Sequence, residues 1–250
     1  MCTVVVLIRP DHPWPVTLAA NRDERIERAW DRPGPWWPTY PGVVGGRDRL
    51  AGGTWMAVGP SGVAAAVLNR PGTLGPLNGK RSRGDLPLLA AAQPDAEAAA
   101  RAIADLDASL WRGFNLVVAD AAGVWFIRGT GEGHPQAVRL PAGLHMVTAQ
   151  DPNDLASPRI ARHLPRFRAA EPPAGPNGDW GDWPRLLGDR GGDTTRQLDI
   201  DPRGGFGTVC ASLLALAPAA PPVWLFAAGR PHATAFLPVV TGADAATVTA

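Results

Sequence analysis

The chain has only two cysteines, Cys2 and Cys210. Two thiols cannot build a disulfide framework or a four-ligand thiolate zinc site. It has no block of lysine and arginine, and its formal net charge is +1 over 250 residues. Phosphate backbones need a basic face, so nucleic acid is not expected as a partner. No apolar run approaches the roughly 18 residues of a membrane span, and integral membrane association is not expected. The opening stretch "MCTVVVLIRP" lacks a basic n-region, and its apolar run is too short for a secretory signal. The expected location is cytoplasmic.

Motif absences narrow the chemistry further. No "GxSxG" is present, so there is no serine-hydrolase elbow. No "GxxxxGK" or "GxGxxG" follows a strand and opens a helix, which leaves nucleotide binding without support. The five histidines are scattered, and none falls in "HExxH" or another metal spacing, so no metal is expected.

What is present is a globular composition. The hydrophobic fraction of 45% is enough for a sizeable core. Residues 3–9 and 16–22 read as two buried strands, forming a hairpin across "DHPWP". "DERIERAWDRPGPWWPTYPG" reads as a charged turn and then an aromatic, proline-rich loop. "GGTWMAVGPSGVAAAVLNRPG" reads as strand, turn, strand. "RGDLPLLAAAQ" and "DAEAAARAIADLDASL" read as helices. In the second, Asp95 caps the start and Ala98, Ala102, Ile103 and Leu106 form the apolar stripe. "FNLVVAD" and "GVWFIRG" form a hairpin, with strands at "QAVRL" and "LHMVTAQ". Residues 170–194 read as a loop with a short helical piece near "DWPRLLG", and three strands end the chain. No repeat and no linker divides two cores, so residues 1–250 are expected to be a single domain of the α+β class.

The chemistry is concentrated near the start. If Met1 is removed, Cys2 carries both a thiol and a free α-amine. An α-amine titrates near 7.7–8.0 and a cysteine near about 8.5, so the amine can take the thiol proton close to neutrality. "NRDER", Asn21 to Arg25, follows the second strand without a break. A hairpin returns it to the neighbourhood of Cys2, where Asp23 could hold the amine and Arg22 could lower the thiol pKa. Asn69, ending a strand in "VLNRPG", can donate into an oxyanion hole. Trp36, Trp37 and Trp55 are candidate pocket walls. Each feature has a plainer reading: a buried thiol, a solvated turn, an Asn before proline, core packing.

Together the motifs resemble a known family. "MCT", "ANRDE" at 20–24, "GGRD" at 45–48, "GGTW" at 52–55, "SRG" at 82–84, "FNLVVAD" at 114–120 and "FGT" at 206–208 resemble the NRDE family, also called the transport and Golgi organisation protein 2 family. The resemblance runs from residue 2 to about residue 240. It implies a branch of the N-terminal nucleophile hydrolases, with their four-layer αββα sandwich. It is similar in logic to bile-salt hydrolases and penicillin V acylases, which cleave linear amides. On that resemblance Cys2 is the nucleophile, Asp23 the aspartate near the amine and Asn69 the oxyanion-hole asparagine. Asn21, Arg22, Trp55 and Arg70, in and beside these motifs, are candidate substrate-binding residues. Three positions depart from the pattern: Ala20 stands where those enzymes carry an arginine, Ala149 where they carry a second pocket asparagine, and Val209 where many members carry an arginine. No cofactor is expected to be required, and haem is a candidate ligand. The expected partner is a small-molecule amide, an acyl compound or haem. The alternative to an enzyme is a carrier of haem or an acyl lipid on the same scaffold.

Overall fold

The computed structural model describes residues 2–175, 179–218 and 220–241. Met1 and part of the expected loop 170–194 lie outside the described residues. In chain order the strands are β1 (Thr3–Ile8), β2 (Val16–Arg25), β3 (Trp30–Gly34), β4 (Val44–Asp48), β5 (Thr54–Val58), β6 (Ala64–Asn69), β7 (Phe114–Asp120), β8 (Gly123–Gly129), β9 (Gln136–Arg139), β10 (Gly143–Val147), β11 (Phe206–Ala217), β12 (Ala220–Ala227) and β13 (Leu237–Val239). The helices are α1 (Asp85–Ala91), α2 (Ala96–Ala104), α3 (Pro158–Ala169) and α4 (Trp183–Leu187). Two sheets result, ordered β10-β1-β2-β11-β12-β13 and β3-β4-β5-β6-β7-β8-β9.

The layering follows from the two-residue period of the strands. Val4, Val6, Leu18 and Leu214 point inward and meet Met56, Ala66, Leu68 and Val117 of the second sheet. Val5, Ala19 and Leu213, one step out of phase, pack on Ile160, Leu164 and Phe167 of α3 and Leu187 of α4. On the far side, Ala65, Val118 and Ile127 pack on Leu86, Ala90, Ala99 and Ile103 of α1 and α2. The order is helices, sheet, sheet, helices: the expected αββα sandwich. Each aliphatic side chain buried this way contributes about 1.5–3 kcal/mol. No helix among the described residues is long and apolar enough to cross a membrane.

Three local expectations need correction. The charged turn expected from Asp23 onward starts later: β2 continues to Arg25, because β11 pairs with it that far, while β1 pairs with it as far as Asn21. Within the expected loop that follows lies β3, whose Pro33 is tolerated on the edge of its sheet. The buried face of α2 is Ala96, Ala99, Ala100 and Ile103, not the stripe through Ala98 and Ala102. Alanine on every side of this helix leaves its phase to tertiary packing. Asp95 does cap it, accepting from the Ala98 N–H.

A buried amide joins the two sheets. The Asn115 side chain of β7 donates to the carbonyls of Thr148 and Gln150, just past β10, at 3.0 and 2.8 Å. Its oxygen accepts from Arg70 Nη1 at 2.6 Å, and the same nitrogen reaches Asp151 at 2.7 Å. Replacing Asn115 with leucine keeps the size but strands two buried carbonyls. Asn115→Leu should lower the unfolding free energy by about 2–4 kcal/mol, read as a fall in the urea midpoint at unchanged slope.

Candidate active site at the head of the first strand

The register of three strands assembles the site. Thr3 pairs with Asn21, so Cys2 is level with Arg22, and Arg22 pairs on its other side with Cys210. Cross-strand neighbours share a face, so Cys2, Arg22 and Cys210 form a row facing the second sheet. A bulge lies between Thr208 and Cys210, with Val209 as the extra residue. In a regular strand Thr208 and Cys210 would share a face. The bulge turns Thr208 to the helix side.

That helix side holds a buried ionic knot. Asp23 accepts from Thr208 Oγ1 at 2.6 Å and from Arg159 Nη1 of α3 at 2.9 Å. Arg159 also donates to Thr3 Oγ1 at 3.0 Å. The side-chain exposure of Arg159 is 2% and that of Asp23 is 0%. The Asp23 backbone lies beside Cys2: the thiol donates weakly to the Asp23 carbonyl at 3.9 Å, and the charge of the Asp23 carboxylate also reaches the sulfur. Arg159 was not singled out from the sequence. It is the second residue of the proline-containing helix α3, two after the capping Ser157, with no motif marking it.

A cleft of about 330 Å³ opens beside Cys2. Arg22, Trp55 and Asn69 line it, as do Arg83 and Arg112. Cys2 and Asn69 thus share one cavity, although 67 positions separate them in the sequence. The Arg22 guanidinium stacks on Trp55, 4.1 Å from the ring centroid, and lies 3.5 Å from Asp48 and 3.7 Å from Glu24. Ala20 and Arg22 are two apart on β2 and share a face. Position 20, where the resembled enzymes carry an arginine, is alanine here, and Arg22 lies on the same side of the sheet, two residues nearer the strand's end.

Two motif glycines make room for this wall. A Cβ on Gly46 would lie 2.2 Å from the Trp55 ring, so the indole rests flat where β4 has no side chain. A Cβ on Gly53 would lie 2.5 Å from the Gly84 backbone. The "GGTW" and "SRG" segments touch there, with Thr54 N donating to Gly84 O at 3.0 Å. That contact carries Arg83 into the cleft. Arg83 is the residue the "SRG" motif could have disclosed.

Other expected residues fall elsewhere. The Asn21 amide faces the helices and donates to Leu187 and Leu198 carbonyls, both at 3.0 Å, because odd positions of β2 point away from the cleft. Arg70 is occupied by Asn115 and Asp151 and does not line the cleft. Neither Trp36 nor Trp37 lines it; their indoles donate to the carbonyls of Arg32 and Gly52. Ala149 is buried and supplies no polar side chain. Among the described residues no group of three His, Cys, Asp or Glu side chains is disposed to hold a metal.

Electrostatics at Cys2 are opposed. Burial pushes its thiol above the ordinary range; the N-terminal ammonium charge opposes this most, the Asp23 charge adds to the rise, and the Asp23 carbonyl contact and Arg22 pull it down. Cys210 is raised as well, again first by burial. Both are free, and both line a second cavity of about 20 Å³.

The profile of the transport and Golgi organisation 2 family matches residues 1–170. The chain belongs to this family. No curated protein sequence gives a significant match. Among solved structures, the chain is similar to an N-acylethanolamine-hydrolyzing acid amidase ortholog from Caenorhabditis elegans, with a TM-score of 0.57 and 11% identity over 88% of this chain and 94% of that one. It is also similar to two variants of conjugated bile acid hydrolase from Clostridium perfringens. One has a TM-score of 0.51 at 12% identity over 97% of both chains; the other has 0.55 at 12% identity over 95% of this chain and 92% of that one. These are N-terminal nucleophile hydrolase folds, and the family member described here shares that fold well past residue 170.

The same register sets the redox chemistry. Cys2 and Cys210 are separated by two inter-strand spacings, about 10 Å between Cα atoms, with Arg22 between them. A disulfide needs Cα atoms within about 7 Å. Thiol counting on freshly lysed cells, denatured without reductant, should find two free thiols. Finding none would contradict the pairing.

Proposed function

We propose that this protein is a cysteine amidohydrolase with Cys2 as its N-terminal nucleophile, acting on a linear amide or related acyl bond of a small molecule. One observation carries the reading: Cys2, at the head of β1, opens into the same cleft as Asn69. The activities named for the structural neighbours, acid amidase and bile acid hydrolase, agree with it.

The steps follow from the groups present. Removal of Met1 frees the α-amine of Cys2. The amine takes the thiol proton, and the thiolate attacks the acyl carbon. The carbonyl electron pair moves to oxygen, and the Asn69 amide with a backbone N–H stabilises that oxyanion. The C–N bond breaks as the ammonium returns the proton to the leaving amine. Water, deprotonated by the same amine, then cleaves the acyl–Cys2 thioester and restores the thiol. Asp23, anchored by Arg159 and Thr208, supports the strand end that presents the amine. The reading goes with a reducing, cytoplasmic setting, in which Cys2 stays a thiol.

A second reading has two observations in its favour. Burial pushes the thiol pKa up, and the residue in place of the second asparagine is a buried alanine. A carrier of haem or an acyl lipid needs a cleft but no activated nucleophile. A haem absorption band that survives Cys2→Ala would support it.

The test is intact-mass spectrometry of the Met1-processed protein after incubation with amide and thioester acyl donors. An added acyl mass on Cys2, absent in Cys2→Ala, is the expected result. Asn69→Ala should then lower kcat by about 10²–10³, the usual loss for one oxyanion donor. An unchanged rate removes Asn69 from that role.

A further inference from the structure

The charges lining the cleft are not balanced. On one side Arg22 and Arg28 lie within 2.6–3.7 Å of the carboxylates of Glu24 and Asp48. On the side formed by 74–84 and Arg112, Arg81 is paired with Asp85 at 3.1 Å, while Lys80, Arg83 and Arg112 make hydrogen bonds to neutral oxygens, all but one of them carbonyls. Arg83 Nη1 donates to the carbonyls of Thr73 and Gly113 at 2.7 and 3.1 Å and to the Thr73 hydroxyl at 3.0 Å. Arg112 Nη2 donates to Gly72 O at 2.8 Å, and Lys80 donates to Ser109 O. Among the described residues none of the three makes a hydrogen bond or ion pair with a carboxylate; Glu24 and Asp107 act on Arg83 and Lys80 only through charge at longer range.

The imbalance is felt by Arg83, whose pKa falls to about 10, first from burial and next from the nearby Arg112 charge. Like charges gathered in a partly desolvated cleft are unfavourable unless an anion joins them. A further donor points the same way. Arg22 is 5% exposed, lines the same cleft, and its Nη1 is buried without a hydrogen-bond partner.

We propose that the cleft binds an anionic small molecule, whose carboxylate or phosphate sits among Lys80, Arg83 and Arg112 while its acyl bond faces Cys2. This rests on the cleft being the substrate site, but not on turnover. It names the substrate class: amides or acyl compounds carrying a negative group on the part remote from the reacting carbon.

Binding to the Cys2→Ala protein separates this claim from catalysis. Three probes with one acyl chain are compared by calorimetry: N-hexanoylglycine, N-hexanoyl-phosphoethanolamine, and neutral N-hexanoylglycine methyl ester. At least one anionic probe should bind about tenfold more tightly than the ester, as expected for a charge-assisted hydrogen bond. Which anion wins distinguishes carboxylate from phosphate recognition. The preference should shrink as ionic strength is raised from about 0.05 to about 0.5 M, and Lys80→Gln and Arg112→Gln should each narrow it. The salt series needs no variant, so it holds if a variant fails to fold. Equal affinity for all three probes, binding of none, or a preference insensitive to salt overturns the proposal. Anion preference without an acyl–Cys2 adduct would leave this inference standing and remove the hydrolase reading.

Discussion

Everything at this site depends on the register of β2 between β1 and β11. With a side-chain period of two, Arg22 faces the second sheet and Asp23 faces the helices. A slip of one residue would exchange them, burying a guanidinium under α3 and putting the carboxylate beside the thiol. Long apolar strands hold the register: Val4, Val6 and Leu18 meet one core while Val5 and Ala19 meet another. The Asp23–Arg159 pair then pins the polar end, where apolar packing runs out. Breaking such a buried pair costs about 3–5 kcal/mol, which makes it a strong guard against slippage.

The strand skeleton was legible because alternation and turn residues mark it. The β1–β2 hairpin, the β5–β6 pair and the β7–β8 pair all lie where their apolar runs and their turns, proline-rich in the first and Gly-containing in the other two, put them. α3 was not legible in the same way. Pro165 stands inside it, where a proline forfeits one backbone hydrogen bond, and its amphipathic face of Ile160, Leu164 and Phe167 is visible only if the proline is set aside. Arg159 was lost with it. β4 escaped because Gly45 and Gly46 have no strand preference; their reason is the contact with β5, a tertiary fact.

Of the site, Cys2, Arg22, Trp55 and Asn69 could be gathered from the motifs, and the structure brings them to one cleft. Asn21 and Arg70 do not line that cleft, for a shared reason. Each neighbours a cleft residue in sequence, and on a strand or a strand end the neighbour faces elsewhere. Asn115 and Arg159 carry no catalytic signature, yet one joins the sheets and the other holds the aspartate. The basic side of the cleft is spread over 80–84 and Arg112, so a net charge of +1 gave no hint of it.

The account makes the thiol's burial and its activation two halves of one device. Behind Met1 the thiol sits in a desolvated place with its pKa raised, so less of it is thiolate at any given pH. An N-terminal ammonium already opposes that rise; removing Met1 brings the titratable cation onto Cys2 itself, nearer the sulfur, which favours the thiolate further. The most direct measurement is the rate of Cys2 alkylation by iodoacetamide against pH, in Cys210→Ala chains with and without Met1. The account predicts half-maximal reactivity above the ordinary cysteine range when Met1 is present, and a shift of at least about one pH unit downward, some 1.4 kcal/mol, when it is removed. Superimposable profiles in the two chains would contradict it.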